Sequence, residues 1–327
     1  MTGMVGINSF ALAASKSPFG NTNFSGIERE GGVDGIEDYL DSRLAQIVFW
    51  ASREKNMIKN KVKQLWAEGK PALHGWLSIG NPFTAEIMAA QGYDAISVDW
   101  QHGALDYSDL LPMFQAMRAS GTSIGARVPW LDPAAIMKAL DAGAMQIICP
   151  MINTPEQAAQ FVSYLRYAPV GQRSFGPTRA MYAQGANIHL EANDEVIGWA
   201  MVETKEAMSN LDAIAATPGL DGIYVGPADL TISLCEGKYP PGFDREEPEM
   251  IEAKKTIVET CHKHGIKAAL HCGTPEYAAR AIGWGYDMTT VSGDSRLLAA
   301  AAGASVKAFR EAVSGRENGP EGTKGSY

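Results

Sequence analysis

Two acidic residues next to neighbouring apolar runs are the first candidates for chemistry. Glu203 closes the run GWAMVE (residues 198–203), and Asp229 follows the next run, within the segment GPADL (residues 226–230). Two carboxylates with no further protein ligand suit a hard, hydrated divalent cation such as Mg²⁺ or Mn²⁺, with Co²⁺ as a further option. In the structural alternative, Glu203 pairs with a neighbouring basic residue and Asp229 caps a helix starting at Leu230. Spacing alone leaves both interpretations open.

Arg127 and His102 are the candidates for handling charge and protons. Arg127 lies near the end of the run IGARV (residues 124–128), where its planar guanidinium can bind a carboxylate or a developing oxyanion. Its structural alternative is an ion pair with Asp99 or Glu203. His102 is the natural proton handler because the pKa of an unperturbed imidazole is near neutrality, and Asp99, three residues earlier, could orient it.

Three more residues complete the predicted site. Asp141 follows Lys138, Ala139 and Leu140 at the end of a helix-like stretch, where an acid opposes the helix dipole and calls for another explanation. His271 ends the apolar run KAALHC, and Trp76 lies in the run LHGWLSI. We expect both His271 and Trp76 to line the pocket and bind substrate rather than react.

Eight apolar runs alternate with longer amphipathic stretches from residue 73 onward. Three of these stretches start with a capping side chain before a first-turn proline, at Asp132–Pro133, Thr154–Pro155 and Thr274–Pro275. Eight strand–helix repeats with near-continuous apolar strands predict a closed (β/α)₈ TIM barrel. The eight runs are residues 73–79, 95–100, 124–128, 146–151, 198–203, 222–227, 267–272 and 287–293.

The barrel is favoured over its rival, a doubly wound open sheet. The first run is followed by Gly80-Asn81-Pro82, which is not the glycine-rich phosphate turn of that fold. In a barrel, chemistry takes place at the carboxyl ends of the strands, where the candidate residues lie. A Schiff-base aldolase would need a lysine near the barrel centre, and only Lys205 keeps that alternative open.

Composition excludes several classes of protein. The formal net charge of the 327 residues is −9, and no stretch is dense in Lys and Arg, so we expect no nucleic-acid partner. No apolar stretch approaches 20 residues, so we expect no membrane span. The four scattered cysteines form no CxxC pair, which argues against a disulfide framework or zinc–thiolate site and fits the cytoplasm. The expected partner is a small-molecule substrate.

Several segments in register resemble the HpcH/HpaI aldolase and citrate lyase family. The similarity is greatest to the class II 2-oxo acid aldolases, such as 4-hydroxy-2-oxoheptanedioate aldolase and 2-dehydro-3-deoxyglucarate aldolase, and covers about residues 57–313. The segments are SVDWQHG (97–103), ARVPWLDPAAIMKALDAGA (126–144), CPMINTPEQA (149–158), RYAPVGQRSFG (166–176), VETKEAMSNLDAI (202–214) and GLDGIYVGPADL (219–230).

The resemblance implies a metal-dependent aldolase that interconverts 4-hydroxy-2-oxo acids with pyruvate, or a pyruvate analogue, and an aldehyde. Glu203 and Asp229 would be the metal ligands, and Arg127 would hold the oxygen of the 2-oxo acid. The backbone around Ala228 and Asp229 would bind the substrate carboxylate. The alternatives on the same site are an acyl-CoA lyase of the malyl or citramalyl kind and a 2-oxo dicarboxylate decarboxylase. A catalytically idle binding barrel is the alternative from another class.

The same resemblance implies an assembly. His102 would move the proton through a water, helped by Asp99 and by Asp141 from a neighbouring subunit. Members exchange their last helix between subunits and form hexamers, as dimers of trimers. The sequence departs from the family at Met201, where several aldolases have Gln, and in the loop between residues 176 and 193. Both differences concern specificity.

The first residues resemble another family. Residues 3–49 are similar to the extreme C-terminal segment of a succinate-semialdehyde-type aldehyde dehydrogenase, whose catalytic Cys segment and cofactor domain the chain lacks. We therefore predict no dehydrogenase activity. The expected organisation is a poorly ordered extension over residues 1–56, an aldolase barrel over 57–315 and a flexible tail over 316–327. Read-through from an upstream gene and a start placed before the true one near Met57 both explain the extension.

Overall fold

The computed structural model describes residues 57–317 and four short strands before them. By its contacts the chain forms two units, Met1–Lys55 and Asn56–Tyr327. In the first unit, β1 (Val5–Ile7) pairs in parallel with β4 (Ala45–Ile47), and β2 (Phe19–Gly20) pairs antiparallel with β3 (Arg29–Glu30). Apart from these strands and the last residues of the final helix, the predicted extension and tail lie outside the described residues.

The second unit contains the predicted barrel. Eight parallel strands close in the order β10-β11-β12-β5-β6-β7-β8-β9, which confirms the (β/α)₈ prediction. Each strand coincides with one predicted run. Their bounds are β5 Ala72–Leu77, β6 Ala95–Asp99, β7 Ser123–Arg127, β8 Gln146–Cys149, β9 Ile197–Val202, β10 Gly222–Val225, β11 Lys267–Cys272 and β12 Met288–Val291.

Helices separate the strands and cover the outside of the barrel. The three predicted caps are present: the side chains of Asp132, Thr154 and Thr274 each accept a backbone N–H in the first turn of α4, α5 and α12. The helices are α1 Lys61–Ala67, α2 Pro82–Ala89, α3 Tyr107–Met117, α4 Pro133–Asp141, α5 Pro155–Leu165, α6 Ala180–Gln184, α7 Ile188–Glu195, α8 Lys205–Ser209, α9 Leu211–Ala215, α10 Pro227–Leu234, α11 Pro248–Lys263, α12 Pro275–Gly283 and α13 Asp294–Glu317.

The strands are mostly apolar because both of their faces are covered. Every residue of β6, β8, β9 and β10 is buried. Side chains that face outward pack against the helices, whereas Trp76, Trp199 and Tyr224 belong to a second cluster formed mainly by residues of the strands. The four cysteines are free, and no helix among the described residues is long and apolar enough to cross a membrane.

The carboxyl ends of the strands form the mouth of the barrel. Asp99 and Arg127 are the last residues of β6 and β7 and lie opposite each other in register. The last residues of β9 and β10, Val202 and Val225, are also in register, which brings the following Glu203 and Gly226 side by side. Strand register therefore places the acidic and basic candidates on one rim.

Candidate active site

The Arg127 guanidinium is held by the Asp99 carboxylate. Arg127 Nε donates to Asp99 Oδ1 at 2.9 Å and Nη2 donates to Oδ2 at 2.7 Å, while both side chains are nearly buried. The indole N–H of Trp76 also donates to Asp99 Oδ2, at 3.3 Å, and Arg127 Cζ lies 4.9 Å from the Trp76 ring centroid. The ion pair named as the structural alternative is thus present, and it leaves Nη1 for another acceptor.

Asp99 also fixes the turn that carries His102. Its Oδ1 accepts the backbone N–H of Gln101 at 3.2 Å and of His102 at 3.1 Å. The contact to His102 is therefore through the backbone and not through the imidazole, which is exposed to solvent. Asp99 therefore acts on His102 by shaping the turn that carries it; the sequence analysis left the kind of contact open.

Glu203 is the most strongly perturbed carboxyl group of the mouth. Its Oε1 accepts the backbone N–H of Met151 at 2.8 Å, and Met151 adopts a left-handed φ of 56°. A Cβ at Gly226 would collide with Glu203 Oε2 and Met201 Cε, so a larger residue there would displace the Glu203 carboxyl group from this position. Burial, followed by the charge of Asp229, raises the pKa of Glu203 to about 7, although the Met151 N–H opposes this shift.

Asp229 lies in the first turn of α10 and is exposed. The helix begins at Pro227 and has no side-chain cap, so Asp229 does not cap a helix that starts at Leu230. Its carboxylate has no hydrogen bond or ion pair within residues 57–317. A buried glutamate and an unbonded aspartate with mutually repelling charges are a donor set that fits a hydrated divalent cation. No group of three or more His, Cys, Asp or Glu suited to a metal occurs among the described residues.

The N-terminus of α10 offers further donors. The first helical hydrogen bond runs from Leu230 N to Gly226 O, so the amides of Ala228 and Asp229 have no intrahelical acceptor. Because Gly226 supplies no side-chain cap, these N–H groups remain available to a ligand. Amides at a helix N-terminus are suited to bind a carboxylate. The role in binding the substrate carboxylate that the resemblance implied for Ala228 and Asp229 stays a prediction.

Asp141 is the last residue of α4, as predicted, and it pairs within its own chain. Its Oδ1 accepts Arg173 Nη2 at 3.0 Å, and Arg173 Cζ lies 4.3 Å from the Tyr167 ring centroid. The ion pair accounts for an acid at the C-terminal end of a helix. A role for Asp141 in the site of a neighbouring subunit stays a prediction.

Trp76 and His271 lie together in the mouth, next to the Arg127–Asp99 pair. Their rings meet edge to face with centroids 4.9 Å apart, and Phe243 packs on His271 at 4.5 Å. Burial, followed by the charges of Arg127 and other basic groups, lowers the pKa of His271 to about 3. The imidazole is therefore neutral at physiological pH and forms part of an uncharged wall.

The sequence analysis missed a buried polar chain below this wall. His271 Nδ1 lies 3.0 Å from Tyr224 Oη, which lies 2.5 Å from Thr290 Oγ1. Thr290 Oγ1 is 2.7 Å from His74 Nδ1, and His74 Nε2 is 2.9 Å from Ser97 Oγ. The only signal in the sequence was a few polar residues inside otherwise apolar runs. This signal was not enough, because hydrophobic period and composition do not indicate which strands face each other.

Lys205 does not provide a Schiff-base site. Its Nζ forms an ion pair with Glu236 Oε1 at 2.5 Å, and the side chain is 60% exposed. A lysine in that position is solvated and charged, far from the desolvated environment that activates an amine. The structure therefore removes the support for the alternative that the sequence left open.

Comparisons with known proteins identify the family and several relatives of the chain. The HpcH/HpaI aldolase/citrate lyase family matches residues 74–301. The hydroxypyruvate/pyruvate aldolase of Rhizorhabdus wittichii is 40% identical over 243 residues, which cover 74% of this chain and 96% of that protein. The 2-keto-3-deoxy-L-rhamnonate aldolase of Escherichia coli K12 is 32% identical over 274 residues, 83% of this chain and 99% of that protein.

Solved structures show the same relationship. A HpcH/HpaI aldolase/citrate lyase family protein of Burkholderia cenocepacia superposes with a TM-score of 0.70 at 30% identity, covering 77% of this chain and 99% of that one. The chain belongs to the HpcH/HpaI aldolase/citrate lyase family. Its named relatives are aldolases, which supports a carbon–carbon lyase with a TIM-barrel fold.

Proposed function

We propose that this protein is a divalent-metal-dependent aldolase that cleaves and forms 4-hydroxy-2-oxo acids, with pyruvate or a pyruvate analogue and an aldehyde as the other partners. The observation that carries the proposal is the pairing of buried Glu203 with unbonded Asp229 on the rim that also holds Arg127. A mouth with two uncompensated carboxylates and a fixed guanidinium suits a chelating 2-oxo acid.

Glu203 and Asp229 would hold the cation, with Mg²⁺ or Mn²⁺ as the preferred ions and Co²⁺ as a further option. When bound, such an ion supplies a Lewis acid that polarises the 2-oxo group of the substrate. The buried Glu203 needs this positive charge, because burial and the neighbouring Asp229 raise its pKa to about 7. Cation and ionised carboxylate therefore stabilise each other.

Arg127 binds and orients the 2-oxo acid. Its bidentate bond to Asp99 fixes the plane of the guanidinium, so that Nη1 can donate to the 2-oxo oxygen without further ordering. The backbone N–H groups of Ala228 and Asp229 hold the substrate carboxylate at the N-terminus of α10. The negative charge that develops on the 2-oxo oxygen during cleavage then lies beside a permanent positive charge.

His102 moves the proton. In the cleavage direction its imidazole removes, through a water, the proton of the 4-hydroxyl group; the C3–C4 bond then breaks and the aldehyde leaves. The ring is free for this role because Asp99 contacts the backbone of His102 and not the imidazole. Asp141 from a neighbouring subunit would assist it in the assembly.

We further propose a cytoplasmic homohexamer, built as a dimer of trimers in which α13 is exchanged between subunits. The apolar side chains of Leu298, Val306 and Phe309 are exposed along this helix, at 63%, 51% and 70%. A second copy of the chain is the partner that the family resemblance names for this surface. The four free cysteines are consistent with a reducing compartment.

The test is pyruvate release from a 4-hydroxy-2-oxo acid before and after exhaustive chelation. We expect activity to disappear with the metal and to return on addition of Mg²⁺ or Mn²⁺. His102→Asn, assayed with saturating metal, should lower kcat by about 10²- to 10⁴-fold, the usual contribution of a general base. Full activity in the metal-free protein would contradict the proposal.

A further inference from the structure

A continuous wall of rings connects two guanidinium groups across the mouth of the barrel. Arg127 stacks on Trp76, Trp76 meets His271, and His271 packs against Phe243. Beyond Phe243, Arg296 Cζ lies 4.9 Å from the ring centroid. Each step between neighbouring groups is 4.5–4.9 Å long. Arg127 belongs to the site described above, whereas Phe243 and Arg296 have no role in it.

The loop before α11 holds Phe243 against the wall. Asp244, the next residue, accepts the backbone N–H of Gly273 at 2.7 Å and the hydroxyl of Thr274 at 2.7 Å. Both partners directly follow β11, the strand that carries His271. The loop is therefore anchored to the rim of the barrel, and the Phe243 ring has a defined position.

Arg296 is fixed at the rim by the start of α13. Asp294 is buried and accepts the backbone N–H of Ser78 at 2.8 Å and of Ile79 at 3.1 Å, which ties the first turn of the helix to the end of β5. Arg296 itself is exposed and has no hydrogen bond or ion pair among the residues that the structure describes. It thus carries an uncompensated positive charge over an aromatic ring.

The wall between the two guanidiniums is uncharged. His271 is neutral because burial lowers its pKa, with smaller contributions from the charges of Arg127, His74 and Arg296. Trp76 and Phe243 are apolar. A ligand lying along this wall would meet positive charge only at its two ends.

We propose that Arg296 is a specificity-determining residue that binds an anionic group on the aldehyde part of the substrate. This inference rests on the proposed function, in which the 2-oxo acid end is held at Arg127 and the α10 N-terminus. The aldehyde part then extends along Trp76, His271 and Phe243 towards Arg296. The substrate class is a 4-hydroxy-2-oxo acid whose distal end carries a second anion, a carboxylate or a phosphate.

The test compares matched aldehydes in aldol addition to pyruvate. One pair is 4-oxobutanoate and its neutral methyl ester, and the other is glycolaldehyde phosphate and glycolaldehyde. For the wild type we expect a higher kcat/KM for at least one anionic member than for its neutral partner, and the better pair identifies carboxylate or phosphate. Arg296→Gln should lower kcat/KM for that anion by about 10- to 100-fold, as for a lost hydrogen bond to a charged group, and leave the neutral aldehyde unchanged.

Two variants serve as controls. Arg296→Lys keeps the charge and should retain part of the preference, whereas Arg310→Gln makes the same change on the same helix, away from the mouth, and should retain all of it. Circular dichroism and size-exclusion chromatography check that every variant keeps its fold and assembly. Equal rates with anionic and neutral aldehydes in the wild type, or an unchanged preference in Arg296→Gln, would overturn the inference.

Deuterium exchange into the methyl group of pyruvate separates this inference from the proposed function. The exchange needs no aldehyde, so Arg296→Gln should exchange at the wild-type rate. If the wild type exchanges but shows no anion preference, only the role of Arg296 is wrong. If the wild type neither exchanges nor forms an aldol product, the proposed function itself is wrong, and the inference about Arg296 is overturned with it.

Discussion

The two sides of the barrel mouth differ in the charge of their buried ionisable groups. On one side, Asp99 and Arg127 are buried as a bidentate ion pair, and Glu203 stands next to Asp229. On the other side, burial lowers the pKa of His271 and of His74 to about 3, and neutral hydrogen bonds connect them. Buried charge is concentrated on the first side, the charged half of the mouth. The interior of the second side, the neutral half, is polar but uncharged, and Arg296 lies at its outer end as an exposed charge.

The difference shows which half needs an added opposite charge to compensate its buried groups. A buried charge is stable only with an opposite charge nearby, which Arg127 provides for Asp99. Glu203 forms no ion pair among the described side chains. Burial, followed by the charge of Asp229, raises its pKa, and the charge of Arg127 offsets this only in part. His74 and His271 avoid the free-energy cost of a buried charge by remaining neutral. The charged half is therefore incomplete without a cation, whereas the buried polar groups of the neutral half form hydrogen bonds with one another.

The largest expected effect comes from Glu203→Gln, which removes a charge from the incomplete half. The amide can still accept the Met151 N–H, but the cation loses one of its two carboxylates. We expect kcat/KM to fall on the order of 10³-fold, since the metal contributes several kcal/mol of charge stabilisation. Titration calorimetry with Mn²⁺ should show correspondingly weaker binding.

The matched control is Glu206→Gln, which changes an exposed acid three residues further along the chain. It should keep wild-type activity and affinity for Mn²⁺. Without metal at pH 8, Glu203→Gln should be at least as stable as the wild type, because it removes a buried carboxylate whose ionisation is disfavoured. Full activity in Glu203→Gln would show that the charged half is structural.

Arg127→Met tests the paired charges. Removing the guanidinium leaves Asp99 buried and unpaired, which costs about 3–5 kcal/mol of unfolding free energy. It also removes a donor to the substrate oxyanion, and kcat should fall by about 10²- to 10³-fold. The double variant Arg127→Met/Asp99→Asn should recover stability in urea unfolding without recovering activity. Recovery of both would mean that Arg127 is only a structural partner of Asp99.

A second ion pair gives the matched control. Arg166 Nη2 binds Asp221 Oδ2 at 2.5 Å, and the Arg166 side chain is as well buried as those of the mouth pair. Arg166→Met should therefore also lower the free energy of unfolding. Its kcat, measured on the fraction that remains folded, should stay close to that of the wild type.

The smallest expected effect concerns the neutral half. It is a change in the slope of the unfolding free energy plotted against pH. His74 has a folded pKa of about 3, below the 6.5 of an unperturbed histidine, so below pH 6.5 the unfolded chain binds a proton that the folded chain does not. Stability should therefore fall as the pH falls from 6.5 towards 3, by about 1.4 kcal/mol per pH unit for this histidine. His74→Asn should reduce the slope by that amount in urea unfolding at several pH values.

Exposed His189 supplies the control for that slope. His189→Asn, which makes the same substitution at an exposed position, is measured over the same pH range. An identical slope in wild type and His74→Asn would show that His74 takes up its proton in the folded barrel. The neutral half would then be charged, and the contrast between the two sides would disappear.

The sequence indicated the charged half more completely than the neutral one. Asp99, Arg127 and Glu203 stand at or directly after the ends of strands, and strand ends can be located from apolar runs and helix caps. The bidentate pairing of Arg127 with Asp99 remained one of several options until the register of β6 and β7 was known. The backbone contact of Asp99 to His102 was not foreseen, because it depends on a turn conformation.

The neutral half could not be predicted from local pattern. His74, Tyr224 and Thr290 lie on three different strands. The bond between His74 and Thr290 exists because β5 and β12 are neighbours in the closed barrel, and Tyr224 reaches Thr290 from β10, two strands away. Likewise, Phe243 and Arg296 come from a loop and from the last helix. Their contacts join residues far apart in the chain, so no spacing rule could have linked them.

The order of eight strands, the helix caps and the residues at the strand ends were determined by the sequence alone, because burial of both strand faces and local backbone capping leave a periodic signal. Tertiary structure decided which charges are compensated and which are not. Closing the barrel sets the distances between strands, and those distances determine that Arg127 neutralises Asp99, that Glu203 lacks a partner and that His271 remains uncharged.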